Sequence, residues 1–272
     1  MKIYYPEKQS LEGVTHMCIA AHQDDIEIMA FAPISECYGS EENAFVGVVV
    51  TDGAGSPRTG EFADMTDEQM KEVRVLEQQK AADIGKYRAA IQLGFPSKAV
   101  KNPENGEPAD EIYKLLMSVK PKYLYTHNIA DKHETHVAVA LRTIEAVRRM
   151  PKEDRPLTFT SLEVWRALDW LPDDDKVCLD TAKYPEVARE LLTVHRSQVA
   201  GGKRYDNAAI GRRFANATFF ASHDTDEITS MNFGLDLMPL VESTQTPAEF
   251  INGYIDKFKG EVNSTLERLG GK

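Results

Sequence analysis

The run Ala44-Phe45-Val46-Gly47-Val48-Val49-Val50 restricts the folds open to this chain more than any other stretch. It is apolar throughout and mostly β-branched or aromatic, so neither face of a strand built from it can meet water. Strands covered on both faces belong to parallel sheets packed between helices. The run ends in Thr51-Asp52-Gly53-Ala54-Gly55-Ser56-Pro57, a polar glycine-rich turn that either reverses the chain or also lines a site.

The neighbouring segments extend the pattern. Val14 to Ala20, Ala89 to Leu93 and Lys122 to Thr126 read as strands. His16 on the first of them is expected to be a packed or surface histidine. Between the strands lie helical stretches. Thr66-Asp67-Glu68-Gln69 fits a capping box that opens a helix to about Ile84, with Gly85 as its stop. Pro108 to Val119 forms another helix. Asp131 followed by Glu134 resembles a further capping box, for a helix through Val139, Ile144 and Val147 that Pro151 ends after Met150. Alternating strands and helices predict an α/β fold: a Rossmann-like, mostly parallel sheet flanked by helices. At 272 residues one domain is expected over 1–272, with a core of about 14–156 and a β-containing C-terminal elaboration of about 157–272. In the latter, Phe159 to Trp165 and Lys176 to Leu179 read as strands, and Pro185 to His195 and Asn207 to Phe220 as helices. Thr246 to Leu269 reads as a polar surface segment.

A formal charge of −11 disfavours nucleic acid, whose phosphates require clustered Lys and Arg. No leader-like start and no apolar run of membrane-spanning length is evident, so the expectation is a cytoplasmic protein without membrane insertion. Cys18, Cys37 and Cys178 are odd in number and widely spaced, which predicts buried free thiols.

Polar chemistry gathers at two strand ends. Ala20-Ala21-His22-Gln23-Asp24-Asp25 follows the first strand, and His127 through His136 follows the fourth. Ligands of open α/β sheets bind beyond the carboxyl ends of the strands, and both clusters leave from that edge. A catalytic zinc takes three protein ligands and keeps a position for water. His22, one carboxylate of the Asp24-Asp25 pair and one histidine of the second cluster would complete such a set. The other carboxylate could then take a proton from bound water. His133 and His136 stand three residues apart at a helix start. Arg74 and Glu77 share a helix face, which in isolation reads as a solvated salt bridge.

Taken together, the A-H-x-D-D stretch at 21–25, Thr51-Asp52-Gly53, Arg74-x-x-Glu77, Asp131-x-His133-x-x-His136 and His195-x-Ser197-Gln198 resemble the PIG-L/LmbE-like N-acetylglucosaminyl deacetylases, in the family's order over roughly residues 14 to 220. The resemblance implies that His22, Asp25 and His136 hold Zn2+, or another divalent metal such as iron or cobalt, and that Asp24 is the general base. It implies that His133 stabilises the oxyanion or protonates the leaving amine, and that Arg74 contacts substrate hydroxyls. The implied substrate is a small-molecule amino-sugar conjugate, and the implied assembly a homo-oligomer. Gln23 replaces the family's usual Pro, and Ile26 stands where many members have Glu. The role of His195 is left open. An amidase acting on a thiol-sugar conjugate would use the same residues. A non-catalytic sugar- or metal-binding protein would need neither Asp24 nor His133. A dinucleotide-binding protein would need a G-x-G-x-x-G after the first strand, and there is none.

Overall fold

The structure is a computed structural model that describes residues 1–7, 10–200, 204–221, 223 and 225–271. Its first half runs β1 (Lys2–Tyr4), β2 (His16–Ala20), α1 (Asp25–Met29), α2 (Phe31–Cys37), β3 (Phe45–Thr51), α3 (Asp67–Gly85), β4 (Ala89–Phe95), α4 (Ser97–Lys101), α5 (Glu107–Val119), β5 (Tyr123–His127) and α6 (Glu134–Arg149). The second half adds β6 (Thr158–Leu162), β7 (Val177–Asp180), α7 (Pro185–Thr193), α8 (Arg196–Val199), α9 (Tyr205–Phe219), β8 (Met231–Asp236), α10 (Met238–Glu242) and α11 (Pro247–Arg268).

The strands form one sheet in the order β1-β4-β3-β2-β5-β6-β8-β7. The β4-β3-β2-β5-β6 block is parallel. β1 lies antiparallel on one edge, and β8 and β7 lie antiparallel on the other. All of β3 is buried, as its composition requires. Its alternate residues serve two cores: Val46, Val48 and Val50 join one, Phe45 and Val49 the other. After β2 the chain leaves toward β3 and β4, then returns to place β5 on the far side of β2. The sheet therefore reverses its direction of winding between β2 and β5, which opens a crevice at their carboxyl ends.

Several expectations are corrected. Thr66 does cap α3 through a full capping box with Gln69, but Gly85 is still helical, and the left-handed stop falls on Lys86 at φ 53°. Asp131 does not cap α6; His133 is the N-cap, without a side-chain cap bond, because the Asp131 carboxylate is turned toward Val164 and His136. β8, which the sequence pattern did not single out, lies between β6 and β7. The 246–269 segment is mostly the helix α11, capped by a Thr246–Glu249 box. Cys18 and Cys37 are buried free thiols, whereas Cys178 is exposed. Arg74 and Glu77 are buried instead of solvated. His16 is packed, stacked on Tyr123 with ring centroids 4.5 Å apart. Among the described residues no helix is long and apolar enough to cross a membrane.

The turn after β3 touches the crevice. Thr51 Oγ1 donates to Ala21 O at 2.8 Å, pinning it to the loop after β2. Gly53 has φ +75°, and a Cβ there would lie 2.8 Å from Gln23 Oε1 and 3.0 Å from Arg74 Cγ. Gly53→Ala should therefore cost about 1–3 kcal/mol in urea unfolding, from backbone strain and overpacking together. Gly55, with open space around its Cβ position, is the control: Gly55→Ala should shift stability by less than about 0.5 kcal/mol.

Candidate metal centre and active site

The chain leaves β2 through a tight turn in which Asp24 adopts φ 102°, a left-handed value that is costly for a residue with a side chain. The turn sends the neighbouring carboxylates apart. Asp25 opens α1 and folds back, its Oδ2 accepting the His22 N–H at 2.7 Å. Asp24 instead reaches Arg74, with Nη2 3.2 Å from its Oδ1. Arg74 Nη2 also donates to the Gln23 carbonyl, and Nη1 lies 3.5 Å from Glu77 and 3.4 Å from Ser197 Oγ. The guanidinium is almost fully buried at the cavity wall, with its donors directed at the turn that carries Asp24.

His22, Asp25 and His136 converge. His22 Nδ1 is 3.1 Å from Asp25 Oδ2 and 3.2 Å from His136 Nε2, and His136 Nε2 is 3.3 Å from Asp25 Oδ2. The three atoms form a nearly equilateral triangle. Ligands held about 2.0–2.1 Å from a tetrahedral ion lie about 3.3–3.4 Å apart, so these donors fit zinc or a similar divalent metal in type and spacing. His127 is also near, its Nε2 3.3 Å from Asp25 Oδ2. That nitrogen already accepts the Ala21 N–H at 2.8 Å, which places the ring proton on Nδ1 and occupies the lone pair a metal would need. Burial lowers the His127 pKa to about 4, in keeping with a neutral ring. We therefore take His22, Asp25 and His136 as the better-fitting set.

Outer partners orient these side chains. Asp131 Oδ2 lies 3.3 Å from His136 Nδ1 and accepts the Val164 N–H at 3.0 Å, while Oδ1 accepts the His133 N–H at 3.0 Å. A carboxylate behind a histidine fixes its tautomer and ring orientation. Burial opposes the charge on His136, but Asp25 and Asp131 overcome it and raise its pKa to about 10. Asp25 is held well below the usual carboxylate range, because His136, His22 and His127 outweigh its burial. Burial pushes Asp24 up to about 6 against the pull of Arg74. His133, half-buried beside the triangle, is lowered by burial and by the neighbouring His136 and His22.

A cavity of about 400 Å³ opens over the triangle. His22, Asp24, Asp25, His133 and His136 all line it, as do Gly53 and Arg74. The six residues singled out in the sequence thus meet at one cavity, and the glycine-rich turn does line it. Gln23, the departure from the family pattern, turns away. Its side chain is buried, with Nε2 donating to Gln92 Oε1 at 3.1 Å and Thr51 O at 3.3 Å.

Sequence reasoning missed several participants. His127 ends β5 and was legible as a strand-end histidine, but its partner Ala21 was not. Glu27 is buried, with Oε1 accepting from Gln78 and Tyr87 at 2.8 Å each and Oε2 3.1 Å from His195 Nε2. His195, left without a role above, is therefore a buried partner of α1. Ser197 donates N–H and Oγ–H to the two Glu77 oxygens at 2.7 Å each, so the His195-x-Ser197 segment clamps both α1 and α3. Trp165, Tyr205 and Lys101 line the cavity and belong to no motif.

Comparison with known proteins gives one family. Residues 17–147 match the family described as PIG-L, GlcNAc-PI de-N-acetylase. A curated relative, the probable N-acetyl-alpha-D-glucosaminyl L-malate deacetylase 2 of Bacillus subtilis (strain 168), is 28% identical over 126 residues, 45% of this chain and 54% of that protein. The chain thus matches about half the length of that relative. The N,N'-diacetylchitobiose deacetylase from Pyrococcus horikoshii shares the fold, with a TM-score of 0.66 at 15% identity over 85% of this chain and 86% of that one. So does the 4-carboxy-2-hydroxymuconate hydratase from Pseudomonas putida KT2440, with a TM-score of 0.64 at 15% identity over 86% of this chain and 98% of that one. A deacetylase and a hydratase on one backbone mean that the reaction must be argued from side chains.

In the metal-free protein His136, at about 10, carries a proton at neutral pH that an entering cation must displace. Zinc binding should therefore release about one proton per ion and tighten as pH rises toward 10. Calorimetric titration in two buffers of different ionisation heat measures this release; a value of zero would contradict His136 as a protonated ligand.

Proposed function

We propose, from the match of residues 17–147 to the PIG-L family, that the protein is a zinc-dependent hydrolase that removes the N-acetyl group from an N-acetylglucosamine-containing substrate. The observation that carries the reading is the division of labour between adjacent aspartates: Asp25 turns to His22 and His136, while Asp24 stays at the cavity on Arg74. Holding an ion alone does not require the second carboxylate to face the cavity. The C-terminal elaboration reads as part of the same domain, since His195 and Ser197 reach Glu27 and Glu77 behind the site.

His22, Asp25 and His136 would hold the ion, whose bound chemistry is to polarise the acetyl carbonyl and make water a nucleophile at neutral pH. Asp24 accepts the water proton. Its pKa of about 6 leaves the carboxylate mostly ionised at neutral pH, yet basic enough for transfer. Arg74, tied to the Gln23 carbonyl and to Asp24 Oδ1, holds the carboxylate in place. His133, lowered by burial and its neighbours, presents a neutral imidazole N–H. It donates to the carbonyl oxygen as negative charge develops there, a contact that strengthens toward the transition state. As the C–N bond breaks, the nitrogen takes up the proton held by Asp24. Water's hydroxyl ends on the acyl carbon, giving acetate and the free amino sugar.

Asp24→Asn should retain zinc but lower kcat by about 10²–10⁴-fold on N-acetylglucosamine conjugates, measured as free amine. His136→Ala should lose the zinc itself. Wild-type zinc content in His136→Ala, or near-wild-type turnover by Asp24→Asn, would overturn the corresponding role.

A further inference from the structure

The cavity over the triangle does not end there. Ile28, Val164, Trp165 and Tyr205 line it and also line a second chamber of about 230 Å³, which Ala208 and Ala209 on α9 help to close. The dividing wall is aromatic. Trp165 lies nearly parallel to His133, with ring centroids 6.5 Å apart and an interplanar angle of 15°. Tyr205 meets Trp165 edge-on at 5.9 Å and 87°.

The chamber borders two arginines, each with part of its donor set tied to the protein. Arg204 Nε and Nη2 both donate to the Asp206 carboxylate, at 2.9 and 2.6 Å. Arg212 Nη1 donates to the Val164 and Arg166 carbonyls, at 2.6 and 3.0 Å. A sugar ring placed here would set part of its rim against Ile28, Val164, Ala208 and Ala209, where its hydroxyls find no partner, and unpaired buried hydroxyls are costly. A flat hydrocarbon would lose nothing and would gain contact with Trp165 and Tyr205. Size agrees, since an apolar cavity of about 150 Å³ takes a benzene ring.

We propose that this second chamber is a subsite for a flat apolar group, an aromatic ring or its equivalent, carried by the substrate whose amide sits at His22, Asp25 and His136. The inference rests on the hydrolase reading above. The same ring could arrive on the sugar's aglycone or on the acyl group, and the two are separated by experiment.

The test uses the full-length, zinc-loaded protein and three conjugates of glucosamine: the N-acetyl methyl glycoside, the N-acetyl phenyl glycoside and the N-benzoyl methyl glycoside. Amine release should favour one phenyl-bearing compound over the N-acetyl methyl glycoside by about 10–100-fold in kcat/KM. Preference for the phenyl glycoside assigns the chamber to the aglycone, and preference for the benzoyl amide assigns it to the acyl group. Filling the chamber by Ala208→Phe, or independently by Ala209→Leu, should bring that ratio close to one. Equal kcat/KM for all three compounds in the wild type, or a preference that survives both substitutions, would overturn the subsite. If none of the three is hydrolysed, the hydrolase reading fails, and direct binding followed by tryptophan fluorescence decides the chamber separately. Tighter binding of the phenyl than of the methyl glycoside supports it; equal binding overturns it.

Discussion

Asp25 Oδ2 accepts a backbone N–H from His22 and faces imidazole nitrogens of His22, His127 and His136, all within 3.3 Å. These groups come from the loop after β2, the end of β5 and the first turn of α6. A single oxygen thus joins parts of the chain more than a hundred residues apart. The parallel register makes the meeting possible, because β2 and β5 are neighbours that run in the same direction and end at the same level. Were β5 elsewhere in the sheet, His22 and His136 could not share a ligand position.

The second support is a pair of buried carboxylates that hold the C-terminal part against the back of the site. Glu27 meets His195, and Glu77 meets both Arg74 and Ser197. Buried ion pairs add little net stability, since desolvation cancels much of the attraction, but removing one partner leaves an uncompensated charge. Such contacts therefore fix arrangement more than they add stability. Arg213 on α9 works in the same direction, donating to the carbonyls of Glu27 and Ile28 in α1 and lying over the Phe31 ring at 4.8 Å.

Periodicity and capping made the parallel core legible, because β3 has no polar side and Thr66 and Gln69 carry a complete box in sequence. The residues now meeting at the cavity were legible for a related reason: a strand end confines a motif to one sheet edge. What sequence could not give was direction. Asp131 has the composition of a helix cap, but its carboxylate serves His136 and Val164. Arg74 and Glu77 have the spacing of a surface pair, but α8 covers them. Trp165 and Tyr205 belong to no motif: the segment after β6 sets Trp165 beside His133, and the packing of α9 brings Tyr205 against Trp165. β8 was missed because it is short and carries Gly234 in its middle, and its place between β6 and β7 comes from pairing across the sheet.

Asp24 sits at φ 102°, where a side chain is a burden and glycine is at ease. The backbone alone would favour Gly there, whereas the proposed proton transfer requires a carboxylate. Stability and activity thus pull against each other at this residue. A substitution that relaxed the turn would also take from the buried Arg74 one of its carboxylate partners, so the strain at Asp24 is held in place by the charge beside it.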